Sequence, residues 1–154
     1  MSDALNPQPD RVNSRRVALL IEHYGKSHQN PGNELIHFIA IPLIMLSLVG
    51  MLFALHPWVA YAFVAASMVY YARLSLVFFI TMAVVSALAF VIVFAMGSRV
   101  LPISVAIFVG AWIMQFVGHK MEGNKPSFFE DIQYLWVGPL FVLSKLFEKI
   151  GVRW

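Results

Sequence analysis

The sequence predicts an all-α integral membrane protein: a helical bundle of four transmembrane helices, flanked by an amphipathic N-terminal helix and a C-terminal apolar helix. Three observations lead there. Of 154 residues, 60% are hydrophobic and 12% charged, with a mean hydropathy of +0.75. Soluble domains carry roughly 25% charged residues, so this chain has too little polar side chain to cover a water-facing surface. The apolar residues gather in four long runs, and the basic residues fall almost entirely on one side of the topology those runs imply.

Residues 1–12 are polar and read as a mobile tail. Asn13 or Ser14 can cap a helix ending near Gly25, with Val17, Leu20, Ile21 and Tyr24 on one face. Its Arg15 and Arg16 suit an anionic lipid surface. The stretch Ser27–Asn33 contains Gln-Asn-Pro-Gly-Asn, which is turn chemistry. Residues 13–33 thus form a cytoplasmic helix and a histidine-containing turn.

Four spans follow within residues 34–118. Leu35–Leu55 is interrupted only by His37, Pro42 and Ser47. Pro57–Ala72 is rich in aromatic rings near its ends, where they prefer the membrane interface. Leu74–Met96 is the most continuous run, and Val100–Val117 closes on Gly118-His119. A span needs about 20 residues, so the second and fourth runs are short. The remainder, residues 119–154, holds a second histidine segment. It also holds Ile132–Ile150, whose Gly138, Pro139, Lys145, Glu148 and Lys149 suit an interfacial or re-entrant helix better than a fifth span. The whole is a single membrane domain.

Ten of the eleven Lys and Arg residues lie cytoplasmically if there are four spans and both termini are inside; only Arg99 lies outside. A bacterial inner membrane is the expected location. The net charge of +3 is therefore a matter of topology, not of nucleic acid, for which no recognition pattern is present. The absence of cysteine removes disulfides, thiolate zinc sites and iron–sulfur clusters. No signal peptide is expected in the polar first 33 residues.

Four spans return the chain to its starting side, so the segments before the first span and after the fourth share one face. They hold four of the five histidines. His37 lies at the start of an apolar span, where a polar ring is costly unless paired or ligated; Asn33 is a candidate cap for that helix. His119 ends the fourth span, with Gln115 four residues before and Glu122 three after; all three share one face if the helix persists. A His and a carboxylate at that spacing resemble the ligand pairs of carboxylate-bridged metal bundles. Each feature has a plainer reading: a headgroup hydrogen bond for His37, and carbonyl capping for His119 and Lys120. His28 lies in the turn. His23 reads as a surface residue and His56 as structural. Asn30 and Asn33 suit caps, partners of a ligand or substrate contacts. Three histidines from two segments can hold a metal with open positions, and imidazole suits iron, zinc or copper.

The run His28-Gln29-Asn30-Pro31-Gly32-Asn33-Glu34-Leu35-Ile36-His37, followed by Pro42, resembles the H-x-N-P-x-N-x-x-I-H…P signature of the fungal and bacterial 2-hydroxy fatty acid dioxygenase family. Trp112-Ile113-Met114-Gln115-Phe116-Val117-Gly118-His119, then Glu122 and Pro126, resembles its second signature, W-I-x-Q-F-x-G-H…E…P, and Gly138-Pro139-Leu140-Phe141 its closing segment. The resemblance runs from about Tyr24 to Phe147, and the chain is similar to the bacterial branch. It differs from the yeast type in a His119–Glu122 spacing one residue shorter. The resemblance implies an Fe(II)-dependent membrane enzyme that splits a lipid-like 2-hydroxy fatty acid with dioxygen, leaving a fatty acid one carbon shorter. His28, His37 and His119 would be iron ligands or their neighbours. Gln115 and Glu122 would be ligands, partners of ligands or proton-handling groups, and Tyr24, Asn30 and Asn33 would contact substrate or support the ligands. The alternatives are a non-enzymatic transporter or assembly factor, and a haem-binding bundle with His37 and His119 as axial ligands.

Overall fold

The computed structural model of the chain describes residues 9–26, 29–123, 134–152 and 154, the side chains of residues 9–15 excepted. Among the described residues the structure is all helical: α1 (Pro9–Gly25), α2 (Pro31–Leu55), α3 (Pro57–Ala72), α4 (Leu76–Met96), α5 (Val100–Glu122) and α6 (Val137–Ile150). A 3₁₀ turn, Gly97–Arg99, joins α4 to α5.

Proline sets most of the helix starts. Pro9, Pro31, Pro57, Pro102 and Pro139 all lie in a first helical turn, where the missing N–H has no intrahelical partner to lose. Pro42 is the exception, inside α2. Three boundaries differ from the sequence expectation for local reasons. Residues 9–12 belong to α1 and not to a tail; residues 1–8 lie outside the described set. α2 begins at Pro31 and not near Leu35, because the cap is Asn30 and not Asn33: its side chain accepts from the N–H groups of Gly32 and Asn33. Pro-Gly-Asn is thus a helix start, and His37 lies in the second turn. α5 continues through Glu122 and is closed by Gly123 in the left-handed conformation, φ 78°, whose N–H reaches the His119 and Lys120 carbonyls. The helix end is therefore capped by Gly123.

Among the described residues two stretches are long and apolar enough to cross a membrane: Pro31–Leu55, and Leu76–Glu122, which contains α4 and α5. α3 has 16 residues and α6 has 14. At 1.5 Å per residue these reach about 24 and 21 Å, short of the roughly 30 Å hydrocarbon core.

α2 is the hub, touching α3, α4, α5 and α6, and its most extensive partner is the antiparallel α5. Small residues allow that approach at both ends. A Cβ on Gly50 would collide with Ser104 Oγ, and one on Gly118 with Asn33 Oδ1. Between them Ala40 and Ile44 pack on Ala111 and Trp112. The apolar face of α1 packs on the chain itself, with Val17 buried among Tyr71, Phe78, Leu140 and Phe147. The start of α2, the end of α5, the α3–α4 turn, α1 and α6 therefore all gather at one end of the bundle. On the outer surface α4 and α5 expose a broad apolar face, including Val84, Leu88, Val91, Val109 and Ile113.

The Gly50–Ser104 contact makes a direct test of the α2–α5 seam. Gly50→Ala should destabilise by about 1–3 kcal/mol through overpacking, measured by thermal unfolding in detergent. Adding Ser104→Ala should restore part of the loss, because it removes the hydroxyl that the new methyl meets.

Candidate functional site

The gathered end of the bundle is where α2 begins and α5 stops, and one carboxylate fastens the two. Glu122 Oε1 accepts from the backbone N–H of Gln29 at 2.8 Å, and Oε2 accepts from the N–H of Asn30 at 2.9 Å and the Asn33 side-chain amide at 3.0 Å. Asn30 Nδ2 donates back to the Met121 carbonyl at 3.3 Å. A carboxylate at its own helix C-terminus is electrostatically unfavourable, whereas one at a helix N-terminus is favourable. Glu122 exchanges the first environment for the second by reaching from α5 to the start of α2. It fills the place that a Glu three residues after the cap takes in a capping box, which here is occupied by Asn33.

Inside this clasp lie two imidazoles. His37 is fully buried and His119 nearly so. Their ring centroids are 5.2 Å apart and their planes nearly perpendicular, at 87°. His37 Nδ1 is 2.9 Å from the Asn33 carbonyl. A carbonyl oxygen only accepts, so Nδ1 carries the proton in this hydrogen bond. That is how a metal-ligating histidine is commonly held, with its other nitrogen donating to a backbone carbonyl. Two imidazoles on adjacent positions of one ion, at about 2.0–2.1 Å each, have centroids roughly 4.6–5.3 Å apart. The observed separation fits. Among the described residues no group of three His, Asp or Glu side chains is gathered to hold a metal. The third expected ligand, His28, lies outside the described residues.

Polar atoms surround the pair. Gln115 is buried, and among the described residues its Oε1 has no hydrogen-bond partner; the same holds for Asn33 Oδ1. Buried carbonyl oxygens of this kind call for a donor. Gln115 borders a small cavity of about 20 Å³, together with Tyr24, Trp112, Tyr134 and Gly138. That volume admits one water-sized group. Tyr24 is buried, with its ring 6.5 Å from His37, 5.6 Å from Tyr134 and 5.2 Å from Phe141. A second cavity of about 300 Å³ lies among α2, α3, α4 and α6, lined almost wholly by apolar side chains.

The structure thus brings together Tyr24, Asn30, Asn33, His37, Gln115, His119 and Glu122. His23 is exposed, with its ring 6.0 Å from Tyr134, and His56 caps α3 by accepting from Trp58 N–H at 3.3 Å. Sequence reasoning missed Tyr134 and Trp136. Trp136 Nε1 donates to Ser67 Oγ at 2.9 Å and its carbonyl accepts from the Tyr71 hydroxyl at 3.1 Å, which ties the entry of α6 to α3. The two rings just ahead of Gly138-Pro139 were the available signal.

The family described as "2-hydroxy-palmitic acid dioxygenase Mpo1-like" matches this chain over residues 15–75 and 71–150. The chain belongs to that family. Its matched region holds every residue of the clasp and both histidines of the buried pair. No curated protein and no solved structure matches the chain.

The clasp predicts a local protection pattern. Glu122→Ala leaves three donors without their acceptor, at about 1–3 kcal/mol. Amide exchange at Gln29 and Asn30 should then accelerate at least about tenfold, with a smaller effect for Glu122→Gln. Unchanged exchange in both variants would show that the clasp does not hold the turn.

Proposed function

We propose that this protein is a four-span membrane dioxygenase that shortens a 2-hydroxy fatty acid by one carbon at an iron site on its cytoplasmic face. The observation that carries this reading is the buried His37–His119 pair, with His37 oriented by the Asn33 carbonyl, in a member of the 2-hydroxy-palmitic acid dioxygenase family.

The membrane part rests on the two long apolar stretches, the exposed apolar face of α4 and α5, and the clustering of basic residues. An apolar face of that breadth is a liability in water and an ordinary surface in lipid. The absence of cysteine makes the topology directly testable. Single cysteines replacing Lys26, Arg73 or Lys120 should be modified by a membrane-impermeant maleimide from one side, and those replacing His56 or Gly97 from the other. Modification of Lys26 and Lys120 positions from opposite sides would exclude an even number of crossings between them.

The proposed reaction converts R–CH(OH)–COOH and O₂ into R–COOH, CO₂ and H₂O. The bond between the carboxyl carbon and the hydroxyl-bearing carbon breaks, the organic acid gives up four electrons and dioxygen accepts them. Fe(II), held by His37, His119 and His28, would supply the means for dioxygen to react with a closed-shell acid. The chain's own groups do the rest. Asn33 keeps the His37 proton on Nδ1. Glu122 holds the N–H of Gln29, the residue after His28. Gln115 Oε1 is a ready acceptor for the substrate hydroxyl. Tyr24, Trp112 and Phe141 make the surroundings apolar and exclude water.

The haem alternative fits the histidine pair less well. Axial ligands on opposite sides of one iron, at about 2.0–2.1 Å each, have ring centroids roughly 6.5 Å apart, against the 5.2 Å observed.

The test is anaerobic reconstitution with Fe(II), then oxygen and 2-hydroxypalmitate. The expected product is the acid one carbon shorter, with about one iron per chain. His37→Ala and His119→Ala should each lower iron retention by about 10–100-fold or more and abolish turnover. Retention of iron by both variants, or a haem absorption spectrum, would overturn the site assignment.

A further inference from the structure

The two cavities at and below the site share a wall. Ile41 and Met45 of α2 line both the small cavity that Gln115 borders and the larger apolar one. The first turn of α6 completes the partition: Gly138 faces the small cavity, and its neighbour Pro139 faces the large one. Ile41 lies flat on Gly138, so that a Cβ there would come within 3.1 Å of Ile41 Cδ1. On the α4 side the large cavity is bordered by Val85, Leu88 and Ile92, all exposed on the apolar outer face. It therefore opens sideways, between helices, and not toward the polar end.

Resting on the dioxygenase reading above, we propose that the cavity among α2, α3, α4 and α6 holds the acyl chain of the 2-hydroxy acid, admitted laterally from the bilayer, and that Ile41 and Met45 are the side chains that open it onto the histidine end. Several features select this occupant. The cavity volume, about 300 Å³, is at the lower limit of ligand pockets. Its walls are nearly all apolar: Ser67 and Ser86 are the two polar side chains in the lining, and Ser67 is already engaged as acceptor to Trp136. It runs along α2 from Ile41 to Val49, about 12 Å at 1.5 Å per residue. That is the shape of an alkyl chain. One end is parted by Ile41 and Met45 from the small cavity that Gln115 borders, and the other meets the lipid-facing surface, so an amphiphile that displaces those two side chains can place its hydroxy acid and its tail in the two compartments at once. Met45 is suited to the gate, since an unbranched thioether side chain changes rotamer at little cost.

The experiment uses the full-length iron-loaded protein. Ala89 lies on α4 and borders the end of the cavity away from the histidines, and Ala89→Phe should shorten the cavity there. The kcat/KM for 2-hydroxypalmitate should fall about tenfold or more, while that for 2-hydroxyoctanoate changes less than about twofold. Iron content and thermal unfolding should stay as in the unsubstituted protein. Met45→Ala should reduce the discrimination between the two chain lengths. Independently of turnover, a 2-hydroxy acid with a diazirine at its tail should photolabel residues 63–68 or 85–92, and excess 2-hydroxypalmitate should suppress the labelling. Equal loss for both chain lengths in Ala89→Phe, or labelling confined to the outer face of α5, would overturn the proposal. Absence of turnover by the unsubstituted protein would count against the dioxygenase reading alone. The photolabelling would then decide the occupant of the cavity.

Discussion

The functional end of this molecule depends on one carboxylate. Glu122 belongs to α5 by sequence and to α2 by function, since it accepts the N–H groups that α2 cannot satisfy within itself. The same contact holds the Asn33 amide. Asn33 in turn passes its backbone carbonyl to His37 and presses its side chain against the backbone at Gly118, next to His119. The two histidines are thus placed by a chain of contacts that begins at Glu122. Because the helices on either side are long and continuous, their ends would otherwise be free to splay. A charge-assisted clasp at the tip is more effective there than additional apolar packing farther along.

The price of the arrangement is a set of polar groups buried in an apolar bundle. An imidazole with no exposure is tolerable only if both of its nitrogens are accounted for. Hydrogen bonding of Nδ1 to the Asn33 carbonyl meets part of that requirement. The unpartnered carbonyl oxygens of Gln115 and Asn33 go further than a fold needs. A sequence optimised for stability would have apolar side chains at both positions, as it does one turn away at Ala111.

How much of this was legible in the sequence depended on how local the cause was. The helical class and the runs that became α2 to α5 followed from composition and apolar run length alone. The convergence of the two histidine segments followed from counting runs, since an even number of antiparallel helices returns the chain to its origin. The start of α2 was misplaced because Pro-Gly-Asn is poor helix sequence. The stabilisation that makes it helical comes from Asn30 locally and from Glu122, 92 residues away. For α1, amphipathicity shows that a face will be covered without showing by what; the cover is α6 and the α3–α4 turn. Trp136 was missed for the same reason, its partner Ser67 being 69 residues distant.

α6 shows why a short amphipathic helix is retained beside long apolar ones. With 14 residues it reaches only part of the way along the bundle, and its charged residues keep one side at the polar end. Lys145 pairs with Glu34 at 3.6 Å and lies over the Phe141 ring. This half-buried pair at 3.6 Å contributes about 1 kcal/mol to stability, so its effect is orientation more than strength. The other side carries Gly138, Pro139 and Leu140 inward, and the Trp136 hydrogen bonds to α3 fix the depth of that insertion. A glycine at 138 lets the helix sit directly on Ile41. A Cβ there would meet Ile41 Cδ1 at 3.1 Å, so the Ile41 side chain would have to give by a few tenths of an ångström. The first turn of α6 thus stands with Ile41 and Met45 between the polar end of the bundle and its apolar interior, one layer of side chains thick.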